Sequence, residues 1–327
     1  MFVASSLRAE TYELPAEGFD VIGAVSTIEA RHEDTLVDIA RRHGLGYEDI
    51  VRANPDVNVW VPGEGTEIIL PMRFVLPTGA RRGVILNLAE YRMYYFPEPK
   101  PGEPAYVMTY PISIGRMDWE TPLGLTEVIS KVRNPSWYVP QSVLDERAAD
   151  GNPLPRIVPP GPDNPLGEYA MRLGLPGYLI HSTNRPAGVG MRVTHGCIRM
   201  FPEDIEYLFS RVAVKAPVRI VNEPVKIGWD GEQLVMEVHP LLETALVNGT
   251  PEPTGEEGAA DAIGPADFSN EVRDPLTYVT EQFIAATIVR AGQLDWHLAE
   301  QIVARSDGIP TAVGVSIKNA ATSAASE

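Results

Sequence analysis

The stretch GNPLPRIVPPGPDNPLG, residues 151–167, sets the tightest limit on what this chain can build. Proline has no amide hydrogen to donate to a ladder or a helical turn, so the run is excluded from a helix and from a central strand. The chain holds 30 prolines, many of them between 97 and 165. That region therefore reads as long irregular connections crossing a β scaffold. The 151–167 run predicts an ordered, proline-stiffened loop, either the wall of a substrate cleft or a surface connector.

The flanking residues supply the scaffold. GVILNLAEYRMYYF (83–96) carries partly alternating apolar residues with a hairpin turn at Asn87–Glu90, and AYVMTYPISIG (105–115) reads as a second strand pair. PEDIEYLFSRV (202–212) opens a helix with Pro202 first, Glu203 and Asp204 in the acidic first turn, and Ile205, Leu208 and Phe209 as its apolar stripe. Further strands follow to residue 240, with a turn at Trp229-Asp230-Gly231.

At 327 residues, two domains or one large domain with appendages is expected. The net charge of −17 excludes non-specific nucleic-acid binding and a polybasic membrane anchor, since no basic excess exists to displace counterions. No run of about 18 apolar residues is present, so no transmembrane helix is expected. Residues 1–30 read as an irregular lead-in. Its start, MFVASSLRAETYELP, is either a signal-peptide remnant or a plain disordered beginning. Residues 248–270 lack Lys and Arg and are rich in Gly, Pro, Ala and Glu, which is a linker composition. An amphipathic helix with Leu276, Val279 and Phe283 on one face follows, then a shorter one from Trp296 to Ala304 and a disordered tail, so that 226–327 forms a helical C-terminal extension.

Residues 31–76 have their own texture. Asp34-Thr35 caps a helix with Leu36, Ile39 and Ala40; Gly44 and Gly46 end it; a second helix with Ile50, Val51 and Ala53 stops at Asn54-Pro55; and EIILP reads as a strand. With VIGAVSTIEA as a first strand, the order is strand–helix–helix–strand. By pattern alone this is a small α/β packing unit. The order of Asp-Thr-Leu, Ile-Ala, Ala-Asn-Pro, Pro-Gly and Ile-Ile-Leu-Pro resembles a LysM module, which implies binding to N-acetylglucosamine-containing glycan strands.

The chemistry centres on RVTHGCIRM (192–200). Cys197 is the only cysteine, which excludes an intrachain disulfide and a thiolate zinc site. The six histidines show no HxxxH or HExxH spacing, so no metal site is expected. A lone cysteine is commonly a small buried hydrophobe. Here Gly196 permits a close backbone approach, and the N–H groups across Gly196–Cys197 suit an oxyanion hole. Sixteen positions upstream, YLIHSTNRPAGVG ends a buried strand at His181, a base able to hold a thiolate–imidazolium pair. Turn chemistry in Asn184, Pro186, Gly188 and Gly190 lets the chain double back.

Taken together, His181-Ser182-Thr183-Asn184, Gly190 and Thr194-His195-Gly196-Cys197-Ile198-Arg199 resemble the signature of the L,D-transpeptidase (YkuD, or ErfK/YbiS-type) family, and similar segments extend over residues 10–240. The resemblance implies a mainly β catalytic domain at 80–225, a β-sandwich with short helices. It also implies a cysteine acyl transfer needing no cofactor or metal. Cys197 attacks a peptidoglycan tetrapeptide stem and releases the terminal D-alanine, and an amine resolves the thioester. That amine belongs to a second stem peptide, giving 3-3 cross-links, or to an outer-membrane lipoprotein. His181 is the base, oriented by the Ser182 carbonyl. His195 and the amides of Gly196 and Cys197 shape the oxyanion site. Arg199, Asn184 and Thr194 fall on the substrate side, with Arg199 either holding a carboxylate or tying down its loop. Many relatives have glycine at Ser182, so the serine is expected to narrow the cleft. The implied location is periplasmic. Alternatives are a non-catalytic cell-wall glycan binder, and a hydrolase or exchange enzyme using the same acyl-enzyme.

Overall fold

The computed structural model describes residues 10–116, 119–242 and 273–317. The proposed signal remnant at 1–9, the acidic linker at 248–270 and the tail at 318–327 lie outside the described residues.

The irregular lead-in is not what the chain forms from Glu10 onward. β1 (Glu10–Glu13) joins the edge of the main sheet, and β2 (Val21–Glu29) pairs antiparallel with β3 (Glu67–Val75) along its whole length. β2 is the first strand expected from VIGAVSTIEA. Between β2 and β3 lie α1 (Leu36–Arg42) and α2 (Tyr47–Ala53). The Thr35 hydroxyl accepts from the Asp38 amide at 3.0 Å, which caps α1. Asn54 closes α2 and clamps it to β3. Its Nδ2 donates to the Ile50 and Ile69 carbonyls at 2.8 and 2.9 Å, and its Oδ1 accepts from the Ile69 amide at 2.7 Å. Leu36, Ile39, Leu45, Ile50 and Ile68 fill this unit's own core.

The main body is one large sheet. β4 (Gly83–Asn87) and β5 (Arg92–Phe96) form the expected hairpin. β6 (Tyr106–Pro111) pairs with β5, but β7 (Ile114–Gly115) belongs elsewhere, beside β13 (Arg192–Thr194), so 105–115 is not a strand pair. β8 (Gly124–Arg133) is followed by a long excursion. It carries β9 (Trp137–Tyr138), α3 (Gln141–Ala149) and β10 (Ile157–Val158) before β11 (Tyr169–Leu173) returns beside β8. β12 (Leu179–His181), β14 (Ile198–Arg199), α4 (Pro202–Phe209) and β15 (Pro217–Val221) complete the body.

The nine strands run β1-β6-β5-β4-β15-β8-β11-β12-β14. Past β6, Ser113 bridges Arg199 of β14 through amide–carbonyl bonds of 2.8 and 3.1 Å. The sheet thus curls until its last strand meets the chain leaving its second, which gives the expected two-layered β core from a single sheet. Val84, Leu86, Met93, Met171, Ile180, Ile198 and α4's Ile205 and Leu208 pack inside the curl. Ile85, Tyr94 and Phe96 face the other way, onto Ile22, Phe74 and Leu76. β4 is buried on both faces, which is why its apolar run barely alternates.

The C-terminal part is not simply helical. β16 (Val225–Asp230), β17 (Gln233–Val238), β18 (Gly292–Leu294) and β19 (Thr311–Ser316) form a four-stranded sheet, ordered β16-β17-β19-β18. α5 (Pro275–Thr287) and α6 (Trp296–Arg305) pack on it through Trp229, Met236, Val279 and Ile302. Gly292 and Gly314 hid the strands from a propensity reading, yet both are demanded by packing: a Cβ on Gly314 would lie 2.2 Å from the Gln293 carbonyl oxygen.

Candidate active site

β12 and β14 pair in parallel with Ile180 opposite Ile198 and His181 opposite Arg199. Both isoleucines point into the main core. Side chains alternate along a strand, so His181 and Arg199 share the opposite face, and Cys197 immediately precedes β14.

His181 is buried, and its Nδ1 donates to the Ser182 carbonyl at 2.6 Å. A carbonyl only accepts, so the proton sits on Nδ1 and Nε2 keeps its lone pair. Burial, and then the positive charge of Arg199, push the imidazole down to about 3, against the Ser182 and Leu166 carbonyls that favour its protonation. Burial also raises the Cys197 thiol, opposed by the Leu179 backbone and Arg199. Burial thus favours the neutral form of each group. Sγ donates to the Gly177 carbonyl at 3.6 Å and also has a hydrogen bond with the Leu179 backbone.

The loop around Cys197 is fixed residue by residue. Gly196 has φ +94°, and a Cβ there would meet the Tyr178 ring at 2.8 Å, so glycine is required twice over. The Thr121 hydroxyl accepts from the Gly115 amide at 3.2 Å and donates to the Gly196 carbonyl at 2.8 Å. In a planar trans peptide the next N–H points the opposite way, so the Cys197 amide is directed away from Thr121. The Thr194 hydroxyl, expected on the substrate side, is buried and donates to the Cys197 carbonyl at 2.6 Å. His195 is turned toward α3, where its Nε2 lies 2.7 Å from Glu146 Oε2, and its ring meets Trp119 edge-on at 5.1 Å.

Around this loop, Asn184 reaches the proline-rich wall, Nδ2 donating to the Pro162 carbonyl at 3.4 Å. Ser182 does not narrow the cleft. Its side chain is buried, and its Cβ lies 2.6 Å from where a Cβ on Gly167 would stand. Arg199 has a buried Nε with no hydrogen-bond partner among the described residues, and its charge is disfavoured by burial and by neighbouring Arg185. The N-terminal unit also touches the interval: the Tyr47 and Glu48 amides at the start of α2 donate to the Val189 and Gly190 carbonyls at 3.0 and 3.3 Å.

Sequence reasoning missed Glu146, Arg116, Trp119, Thr121 and Tyr178. None carries a local signal, because each reaches the loop from a distant part of the chain. A separate buried cluster, Glu90, Glu237 and His239, brings three possible metal-ligand atoms within 4.8 Å. The Lys226 ammonium already occupies its centre, 2.8 Å from Glu90 and 2.9 Å from Glu237.

Residues 81–220 match the YkuD L,D-transpeptidase catalytic domain. The chain is also 38% identical over 245 residues to the probable L,D-transpeptidase YbiS of Escherichia coli K12, covering 73% of this chain and 78% of that protein. This chain belongs to the L,D-transpeptidase family. It is 34% identical over 315 residues to the probable L,D-transpeptidase ErfK/SrfK of Salmonella typhimurium, across 95% of this chain and 93% of the relative. With YcfS of Escherichia coli K12 it shares 39% over 249 residues, 74% of this chain and 76% of the relative. The chain is thus an enzyme, a peptidoglycan L,D-transpeptidase, and its matched domain runs from just before β4 to the penultimate residue of β15.

Proposed function

We propose that this L,D-transpeptidase uses Cys197 as nucleophile and His181 as base on a tetrapeptide stem. The observation that supports this reading is the β12–β14 register, which sets His181 opposite Arg199, two residues after Cys197. Rotation about the Cys197 side chain turns Sγ from Gly177 toward Nε2. Sγ gives its proton to Nε2 as it attacks the carbonyl of the third stem residue. The Cys197 amide, with that of Gly196, receives the oxyanion. The C–N bond to the terminal D-alanine breaks, its amine takes the proton from Nε2, and a thioester remains. An acceptor amine then attacks and loses a proton to Nε2, the C–S bond breaks, and the thiol is restored.

The Ser182 carbonyl fixes the tautomer of His181, and Thr194 and Thr121 fix the loop. Arg199, its buried Nε unpartnered among the described residues, holds a substrate carboxylate. His195 shapes the oxyanion side, and Asn184 stations the proline-rich wall. The acceptor is a second stem peptide or a lipoprotein lysine, and the site of action is the periplasm. No helix among the described residues is long and apolar enough to cross a membrane. The β2–α1–α2–β3 unit serves as a LysM-like glycan binder, a reading supported by Trp60 and Val61 standing exposed beside it.

The test is intact-mass analysis after carbapenem exposure together with product analysis of a muropeptide digest. The wild type is expected to gain one adduct and to release D-alanine, and Cys197→Ala to do neither. Turnover by Cys197→Ala would remove the nucleophile assignment.

A further inference from the structure

Residues 134–168 leave the sheet between β8 and β11, which are direct neighbours, so the excursion departs and returns at one place where Tyr169 pairs with Arg133. Its base is stiff. Asn164 Nδ2 donates to the carbonyls of Pro135, Val158 and Pro159 at 2.8, 3.3 and 3.1 Å, and its Oδ1 accepts from the Leu166 amide at 2.9 Å. Its far part is fastened thinly. In α3 only Val143 is buried. One turn later, at i+3 and hence on the same face, stands Glu146.

Glu146 does not face solvent alone. Its Oε2 accepts from His195 Nε2 at 2.7 Å, and its Oε1 is hydrogen-bonded by Arg116. Arg116 in turn donates its own amide to the Thr194 carbonyl at 3.0 Å. Both links therefore converge on Thr194-His195, the two residues that lead into Gly196-Cys197. The hydrogen bonds from Arg116 and then His195 hold the carboxyl of Glu146 below the usual carboxylate range, so the links are intact at neutral pH.

The geometry points to Glu146 as a positioning residue: it latches α3 against the nucleophile loop and favours an amine over water in resolving the acyl-enzyme. This rests on the reading of Cys197 as the acylated residue. The two resolving steps differ only in the attacking atom. With an amine, N–C forms, C–S breaks, and the amine proton passes by way of His181 to the leaving sulfur, giving an amide and a thiol. With water, O–C forms, C–S breaks, and the products are a carboxylic acid and the same thiol. Water is always in excess, so selection for the amine requires that the thioester be covered while a bound acceptor approaches. A helix held by one buried side chain and one carboxylate is suited to cover and to release.

The experiment uses the full chain with Glu146→Gln, which is isosteric and lacks the charge, and with Glu146→Ala. Each is given tetrapeptide muropeptide as donor and as acceptor, and tripeptide and cross-linked products are separated by mass. Carbapenem adducts are counted in parallel. Both variants are expected to be acylated to completion on Cys197, while the hydrolysed tripeptide share rises several-fold. An unchanged product ratio in both variants overturns the latch. Failure of Glu146→Gln to acylate, with the wild type acylated, also overturns it, in favour of a direct catalytic role. A wild type that is never acylated refutes the Cys197 reading itself, a result distinguishable from the other two.

Discussion

His181 and Arg199 lie opposite each other in the parallel β12–β14 pair, so a guanidinium charge acts on the imidazole. Burial, and then that positive charge, push His181 down to about 3. The imidazole then stays neutral throughout the range where an ordinary histidine titrates. The rate of Cys197 acylation by a carbapenem is expected to show no acidic limb near pH 6.5 and to climb with pH as the raised thiol is approached. An inflection near 6.5 that moves to higher pH in Arg199→Gln would show that the imidazole does titrate there. The same shift bears on stability. The unfolded chain takes up this proton near pH 6.5 and the folded chain only near 3, so stability present above pH 6.5 is lost as pH falls toward 3.

Gly196→Ala introduces a Cβ at φ +94° and 2.8 Å from the Tyr178 ring. Backbone strain of this kind costs about 1–3 kcal/mol, before the ring moves. The variant is expected to unfold at lower temperature and to lose acylation, because the Cys197 amide turns with the loop. A thermal melt and an intact-mass adduct count check both.

Gly167 and Ser182 form a matched pair. Gly167→Ala, at φ +62°, is expected to cost about 1–2 kcal/mol from the left-handed backbone alone and more from the clash with Ser182 Cβ. Ser182→Gly should keep activity, since only the backbone carbonyl of Ser182 orients His181. The double variant should recover part of the loss. A double-mutant cycle by urea unfolding is expected to give coupling of about 0.5–3 kcal/mol. Strict additivity would show that the two do not meet.

Lys226 sits fully buried between Glu90 and Glu237, and Glu237 Oε2 also accepts from the Val75 amide of β3 at 2.6 Å. This network joins the N-terminal unit, the main sheet and the C-terminal sheet. Lys226→Met strands two carboxylates in the interior and is expected to cost about 3–5 kcal/mol by urea unfolding. Loss of less than about 1 kcal/mol would mean that water reaches the carboxylates.

Local patterns carried the elements with strong punctuation. Thr35 and Asn54-Pro55 bounded α1 and α2, Pro202 opened α4, and the 83–96 hairpin followed from its apolar runs. β18 and β19 escaped notice because their short, glycine-containing runs gain strand geometry only from their partners.

By itself the sequence determined the chemistry on offer: one thiol, a histidine sixteen positions before it, and a glycine between the two able to hold a backbone no other residue tolerates. It also excluded a helix and a central strand from the proline run, since missing amide hydrogens are a covalent fact, and the run holds only the two-residue β10 paired with β9. Only the tertiary structure decided how those groups behave. The charge state of His181 depends on burial and on Arg199, the space for Ser182 on Gly167, and the seat of His195 on Glu146. Each is a contact between residues distant in the chain or across a strand pair, and desolvation and Coulomb forces act through space, so no local pattern encodes them.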